Sequence, residues 1–215
     1  MPAISRRANE LGTENAFVVL AEVSALQRQG KDIISFCIGQ PDFPTPKNIR
    51  EAGIKAINEG KHGYTPSAGI LELREAAANF LNRTRHISIH ADDVVVGAGA
   101  KPFIAYAIVS TTDHGVGDEV IYPVPGFPIY ESQIKAMGAV PVPIYLRESR
   151  NFSFNPAELE ARITSKTKLL ILNSPQNPTG GIIPKKDVEV IAAILRKHPH
   201  VWVFADEIYS QLCYD

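Results

Sequence analysis

The chain has 215 residues, of which 45% are hydrophobic and 21% are charged, a composition typical of a soluble globular protein and not of a disordered one. Its 22 lysines and arginines nearly balance its 23 acidic residues, so the net charge gives no reason to expect nucleic acid or an anionic membrane as a partner. Cys37 and Cys213 match neither a disulfide framework nor a metal-ligand spacing. The apolar stretch at 17–26 is too short for a membrane span or a signal peptide. We expect a cytoplasmic protein without a metal, whose partner is a small molecule or another subunit.

The amino-terminal part of the chain is predicted to be mainly helical. Apolar residues at helical spacing predict an amphipathic helix over 13–29 and two further helices over 47–60 and 69–84. A short strand is predicted over 33–38. The loop after it, at 39–46, contains three prolines and a glycine, which exclude both a helix and a central strand.

From Asp93 onward the predicted elements alternate between strand and helix. Strands are predicted at 94–96, 119–122, 140–146, 168–172 and 201–205, with helices at 102–110, 128–137, 156–163 and 184–197. This alternation implies parallel βαβ units, and therefore a three-layer α/β/α architecture with a mostly parallel central sheet covered on both faces. The apolar runs at 169–172 and 201–204 are typical of strands that are buried on both faces.

Ligands of open α/β sheets bind at the carboxyl ends of the strands, and the first such segment here is rich in small residues. Gly-Ala-Gly-Ala-Lys-Pro at 97–102 links a predicted strand to a predicted helix. Its backbone N–H groups could bind a phosphate, or its glycines could serve only a tight turn. The third glycine of a dinucleotide pattern starting at Gly97 would fall on Pro102, which argues against a Rossmann fingerprint.

Two more strand ends carry polar residues. The strand at 168–172 is followed by Asn-Ser-Pro-Gln-Asn-Pro-Thr-Gly-Gly at 173–181, a loop that prolines and glycines make rigid. The strand at 201–205 is followed by Asp206 and Glu207. A buried carboxylate is costly without a partner, so we expect one of these acids to have a specific partner, with a helix cap or a local salt bridge as the alternative.

Together these segments resemble the fold-type I enzymes of aminotransferase class I/II, the pyridoxal phosphate (PLP) family of aspartate aminotransferase. The resemblance covers essentially the whole chain and is carried by SFCIGQPDF at 35–43, YTPSAG at 64–69, PGFPIY at 125–130, NSPQNPTG at 173–180 and DEIY at 206–209. It implies PLP as the cofactor, an amino acid and a 2-oxo acid as substrates, and a homodimer. It also implies an amino-terminal arm and small-domain segment over 1–46 and a PLP-binding large domain over 47–215.

The resemblance implies a role for residues at the matching positions. It places Gly99, Ala100 and Lys101 at the cofactor phosphate, chiefly through backbone N–H groups at the start of a helix. Phe127 matches the aromatic residue that stacks on the pyridine ring. Gly39 matches a loop that helps to position the substrate carboxylate, and a plain turn glycine is the alternative.

Three further positions match groups around the pyridine ring. Asn177 and Tyr209 match the two donors to the phenolic oxygen of PLP, and Asp206 matches the carboxylate that keeps the pyridine nitrogen protonated. Asp206 and Tyr209 are therefore the candidate catalytic residues. Tyr64 matches a residue that reaches the phosphate bound by the neighbouring subunit, and an ordinary interface tyrosine is the alternative. These roles imply active sites shared across the dimer.

Members of the resembled family hold PLP as a Schiff base to a lysine well downstream of the motif at 206–209, whereas only 210–215 come after that motif here. We therefore expect an incomplete chain that lacks the Schiff-base lysine and is inactive by itself. Four internal lysines are interpreted as surface charges: Lys166, Lys168, Lys185 and Lys186. A PLP-dependent carbon-sulfur lyase on the same fold, or a non-catalytic remnant that binds PLP or a partner protein, remain the alternatives.

Overall fold

The computed structural model describes residues 3–5, 8, 11–12 and 15–213. The chain forms two compact units, one comprising Met1–Glu14 with Gly99–Asp215 and the other comprising Asn15–Ala98. The predicted domain boundary between residues 46 and 47 is implied by the resemblance to the family. The two compact units do not test it, so it stays a prediction.

The unit Asn15–Ala98 is built from helices. Helix α1 spans Asn15–Arg28, α2 spans Lys47–Asn58 and α3 spans Leu71–Arg85, and a short 3₁₀ helix lies at Ala91–Asp93. The three predicted helices are thus confirmed. Residues 13–14 of the first predicted helix lie outside the described residues, and the other helix ends differ from the predicted ones by no more than two residues. The guanidinium of Arg74 donates hydrogen bonds to the carbonyls of Gly69 and Ala91, and so joins α3 to the turns on either side of it.

Two predicted strands of this unit are wrong. Residues 33–38 form no strand, and Ile34 and Phe36 are 82% and 92% exposed. Residues 94–96 are also outside any ladder, although the Val96 N–H donates a 2.9 Å hydrogen bond to the carbonyl of Ala68. A strand needs a neighbouring backbone with unpaired N–H and C=O groups, and a short apolar run does not reveal whether such a neighbour exists.

The unit containing Gly99–Asp215 alternates between helix and strand as predicted. Its elements are α4 Lys101–Thr111, β1 Glu119–Val124, α5 Ile129–Ala136, β2 Val140–Tyr145, α6 Pro156–Glu160, β3 Thr167–Asn173, α7 Lys185–Lys197 and β4 Trp202–Asp206, with a 3₁₀ turn at Glu148–Arg150. The four strands form one parallel sheet in the order β2-β1-β3-β4. The predicted α/β class with a parallel central sheet is confirmed.

Helices cover both faces of this sheet because side chains alternate along the strands. Val120 of β1 and Leu169 of β3 pack in one buried cluster with residues of α4 and α5, which include Ile104, Ile108 and Ile134. The intervening Ile121 and Leu170 pack in a second cluster with residues of α6 and α7, which include Leu159 and Ile191. The result is the predicted three-layer arrangement.

The prediction that 201–204 is buried on both faces is wrong. Trp202 and Val203 of β4 are 68% and 43% exposed, whereas Leu169, Leu170 and Ile171 of β3 are buried. Strand β3 lies between two partners, and β4 pairs with β3 alone among the described residues. The apolar composition of β3 and of β4 predicts burial for both strands equally. The actual burial depends on which elements lie beside each strand.

The strand order also determines where a crevice forms. The chain leaves β1 toward β2 on one side of the sheet and leaves β3 toward β4 on the other side. Connections that diverge from two adjacent parallel strands leave an opening at their carboxyl ends, which is where open α/β sheets bind ligands. The segments after β1, β3 and β4 all begin at this edge.

Candidate active site

The segment after β1 is held in a single path by its glycine and by a contact from the next loop. A Cβ at Gly126 would lie 2.2 Å from the carbonyl oxygen of Pro123, so no other residue type fits without a shift of the backbone. The side chain of Gln176 donates a 2.8 Å hydrogen bond from Nε2 to the carbonyl of Pro125. The loops after β1 and β3 are therefore fixed to each other beside Phe127.

Asp206, the last residue of β4, carries a buried carboxylate with defined partners. The Tyr130 hydroxyl donates to Oδ2 at 2.7 Å, and the Ile208 N–H donates to Oδ1 at 3.3 Å. Asp206 is only 8% exposed, whereas Glu207 is exposed. Because these bonds compensate part of the cost of burial, Asp206 is the acid with the specific partner that the sequence led us to expect.

Tyr130 connects this carboxylate to the aromatic residue after β1. Its ring is fully buried and lies edge-on to that of Phe127, with centroids 5.8 Å apart. Burial, followed by the hydrogen bond to Asp206, raises the pKa of the Tyr130 hydroxyl above its usual range. The ammonium of Lys101 lies 5.6 Å from the centroid of Phe127, within the range of a cation–π contact. A continuous line of contacts therefore runs from α4 to the end of β4.

Asn177 and Tyr209 contact each other in the segments after β3 and β4. The Asn177 side chain donates from Nδ2 to the Tyr209 hydroxyl at 3.1 Å. Asn173, the last residue of β3, is buried and bonds both to the backbone of Asn177 and to the backbone of Asp206. An acidic group, an amide and a phenol are thus held at one edge of the sheet.

Two of these residues, Tyr130 and Asn173, were not predicted as site residues. Both stand in the sequence segments that resemble the family, Tyr130 in PGFPIY and Asn173 in NSPQNPTG. Tyr130 lies on α5, and helical spacing marks it only as an apolar position. The sequence signal that could have found them is the presence of a polar atom at a position that the predicted elements bury.

A comparison with protein families decides what this chain is related to. The family described as "Aminotransferase class I and II" matches residues 31–215. The chain belongs to this family. The match confirms the predicted family. Family members depend on pyridoxal phosphate, which confirms the predicted cofactor.

Similar proteins agree with this assignment to the aminotransferases. The chain is 39% identical to an asparagine–oxo-acid transaminase of Streptococcus mutans, covering 100% of this chain and 54% of that protein. It is 38% identical to a bifunctional aspartate aminotransferase and glutamate/aspartate-prephenate aminotransferase of Petunia hybrida, covering 99% and 44%. The solved aspartate aminotransferase of Thermus thermophilus with maleate matches with a TM-score of 0.94 and 34% identity, over 100% of this chain and 56% of that one. The chain spans about half the length of the curated relatives it matches.

In this member of the family, the predicted phosphate segment begins helix α4. Gly99 has a φ of 84°, a conformation that favours glycine, and a Cβ there would meet open space. Ala100 is the N-cap residue of α4 and carries no side-chain oxygen to cap the helix. Helix amino termini attract anions through their N–H groups and dipole. The segment therefore has the geometry of an anion site, and its phosphate role stays a prediction.

The other predicted positions lie outside this cluster or on the surface. Gly39 and Tyr64 belong to the unit Asn15–Ala98, where Tyr64 is exposed in the loop between α2 and α3, and their roles stay predictions. Among the four internal lysines, Lys166, Lys185 and Lys186 are exposed, as expected of surface charges. Lys168 is half-buried, with its Nζ 3.8 Å from Oδ1 of Asp118.

Proposed function

We propose that this chain supplies the pyridoxal-phosphate-binding part of an enzyme that moves an amino group between an amino acid and a 2-oxo acid. The observation that carries the proposal is the buried Asp206 carboxylate, held by Tyr130 at the edge of the sheet where Asn177 and Tyr209 also meet. A buried carboxylate together with a paired amide and phenol supplies the kinds of acceptor and donors that a protonated pyridine with a phenolic oxygen requires.

The donor and acceptor set in the structure fits the cofactor. Asp206 accepts hydrogen bonds and can hold a proton at the ring nitrogen, while Asn177 and Tyr209 can donate to the phenolic oxygen. Phe127 offers an aromatic ring for stacking. The start of α4, at Gly99 to Lys101, offers N–H groups and the positive end of a helix dipole to the phosphate.

Pyridoxal phosphate, when bound, supplies an electron-accepting ring that makes the α-proton of an amino acid easier to remove. The protein's own contribution is positional and electrostatic. Asp206 would hold the proton at the ring nitrogen, and the Tyr130 hydrogen bond to Oδ2 fixes the orientation of that carboxylate. Because Asp206 is buried, its interaction with a cationic ring nitrogen is little weakened by water.

The proposal for amino transfer concerns the whole protein. The lysine that holds the cofactor and removes the α-proton is predicted downstream of the motif at 206–209, by resemblance to the family. Transamination therefore requires that lysine as well as Asp206. A chain without it is proposed to be inactive.

The substrates, partner and location are proposed from the similar proteins and from the sequence. The names of the relatives include aspartate, asparagine and prephenate, so aspartate is the amino donor to test first. A homodimer that shares its sites through Tyr64 is proposed from membership of the aminotransferase family. Within the described residues every helix is too short or too polar to span a bilayer, and the cytoplasm is the proposed location. No observation favours a carbon-sulfur lyase.

The test is an assay of the whole protein with aspartate and a panel of 2-oxo acids. The proposal expects a new amino acid to form from the oxo acid. Asp206→Ala should lower turnover by at least ~100-fold, while Glu207→Ala, which changes an exposed acid, should lower it by less than about fivefold. Near-normal turnover in a folded Asp206→Ala enzyme would contradict the assignment. Elimination from a cystathionine-like substrate without amino transfer would favour the lyase.

A further inference from the structure

Asn173 stands at the point where the two halves of the candidate site are joined. It is the last residue of β3 and is 4% exposed. Its Oδ1 accepts a 2.8 Å hydrogen bond from the Asn177 N–H, and its Nδ2 donates to the Asp206 carbonyl at 2.9 Å and to the Pro175 carbonyl at 3.3 Å. One buried amide thus contacts the backbone of both Asn177 and Asp206.

The contact matters because the β-ladder ends at this residue. The last paired residues of β3 and β4 are Asn173 and Asp206, so regular backbone pairing cannot position the loop residues beyond them. Loops beyond a sheet are more mobile than the sheet. A catalytic site, however, requires its groups to be held within about 0.5 Å of the productive geometry. The Asn173 side chain continues the connection between the two strands by one further set of hydrogen bonds.

We propose that Asn173 is a positioning residue that sets the separation between the Asn177 amide and the Asp206 carboxylate, and so the width of the pyridine site. The proposal rests on the proposed function, since the ring is what would occupy that width. An amide is suited to the task because it carries a donor and an acceptor in one rigid plane. Alanine provides neither, and serine provides one hydroxyl in place of both groups.

The chain contains a matched control for this residue. Asn82 makes a similar two-way connection in the unit Asn15–Ala98, since its Nδ2 donates to the Ile89 carbonyl and its Oδ1 accepts from the Ile89 N–H, both at 2.9 Å. Asn82→Ala therefore removes the same kind of backbone connection from a unit that holds none of the residues around the pyridine site.

The first readout is the affinity of the chain for 4'-deoxypyridoxine 5'-phosphate, a cofactor analogue whose methyl group cannot form adducts with lysines. Asn173→Ala should weaken binding by roughly tenfold, because it removes about one or two hydrogen bonds that position the site. Asn82→Ala should leave the affinity within about twofold of wild type. Because Asn173 acts partly through Asn177, its effect should be at least about threefold smaller in the Asn177→Ala background.

The second readout needs no ligand. In the wild-type chain, hydrogen exchange at the Asn177 N–H should be at least about tenfold slower than its random-coil rate, and Asn173→Ala should remove that protection. If Asn173→Ala does not fold, Asn173→Ser is measured in the same way, and the wild-type protection factor tests the contact without any variant.

These readouts separate failure of the inference from failure of the proposed function. A wild-type chain that does not bind the analogue contradicts the proposed function, while Asn177 exchange still tests the role of Asn173. The inference is overturned if the wild-type Asn177 N–H is unprotected, or if Asn173→Ala binds like wild type. Equal fractional losses in the wild-type and Asn177→Ala backgrounds would also overturn it, because they would indicate a general structural effect.

Discussion

The hydroxyl of Tyr130 donates a 2.7 Å hydrogen bond to Oδ2 of Asp206, and both residues are buried, Tyr130 fully and Asp206 with 8% of its surface exposed. The bond joins helix α5 of one layer to the end of strand β4 of the adjacent sheet. Since a buried carboxylate without a partner is costly, the two residues depend on each other. The first two predictions concern this pair.

Tyr130→Phe should destabilise the chain by about 1.5–3 kcal/mol, the range for a hydrogen bond to a charged group. The ring remains in place, so the loss reports on the hydroxyl alone. Urea unfolding followed by circular dichroism measures it. Tyr106→Phe is the control, because it removes the hydroxyl of a tyrosine that is 55% exposed, and it should change stability by less than about 0.5 kcal/mol. Equal effects of the two substitutions would refute the role of the hydrogen bond.

The same pair predicts how stability depends on alkaline pH. Burial and the hydrogen bond to Asp206 raise the pKa of folded Tyr130, whereas an unfolded tyrosine has a pKa of about 10. Above about pH 10 the unfolded chain loses this proton while the folded chain retains it, so the stability present below that pH is lost as the pH rises. Urea midpoints between about pH 8 and pH 11 should fall more steeply for wild type than for Tyr130→Phe.

A residual slope should remain in the Tyr130→Phe variant. Burial, followed by the interaction with Glu131, raises the pKa of Tyr122 above its usual range as well. Parallel curves for wild type and Tyr130→Phe would mean that Tyr130 titrates alike in the folded and unfolded chains.

We expect the whole protein to associate with itself. Helix α1 exposes Phe17 and Val18, and the Tyr64 side chain is fully exposed. Association with a second copy of the chain would remove apolar surface of this kind from water. Sedimentation velocity at micromolar concentration should show a dimer. A monomer under these conditions would contradict both the dimer and the proposed role of Tyr64 in a neighbouring site.

The chain by itself should not transaminate. Catalytic groups that act as a unit cannot replace one another, and the internal lysines Lys166, Lys185 and Lys186 are exposed. Borohydride reduction of the chain with PLP, followed by peptide mapping, should show scattered labelling well below one label per chain. A single stoichiometric adduct at Lys101 with measurable amino transfer would show instead that the essential lysine lies within the chain.

Much of the fold could be predicted from the sequence, because alternating helices and strands determine a parallel sheet almost by themselves. Strand β3 was predicted correctly, since its apolar run is central and buried. The same reasoning failed for Trp202, which lies on β4 and is exposed, and for 33–38, which form no strand. In both cases the outcome depends on which neighbours a segment has, and a single sequence does not contain that information.

The candidate site also contains residues that the sequence predicted and residues that it did not. The strand end predicted that either Asp206 or Glu207 has a specific partner, and the resemblance to the family selected Asp206, as it did Asn177 and Tyr209. The partner itself, Tyr130, could not be inferred, because it depends on how α5 lies against the sheet. Asn173 was missed because its role consists of bonds to backbone atoms of other loops, and these form only once the strands are aligned.

The central claim is that Asp206, and not its neighbour Glu207, forms the part of the cofactor site that holds the ring nitrogen. The most direct measurement is a titration of the wild-type, Asp206→Ala and Glu207→Ala chains with 4'-deoxypyridoxine 5'-phosphate, followed by the absorbance of the pyridine ring. We predict that Asp206→Ala weakens binding by at least about tenfold and lowers the pH at which the bound ring loses its proton, while Glu207→Ala leaves both within about twofold of wild type. A folded Asp206→Ala chain that binds the analogue as tightly as wild type, with the same protonation of the ring, would contradict the account.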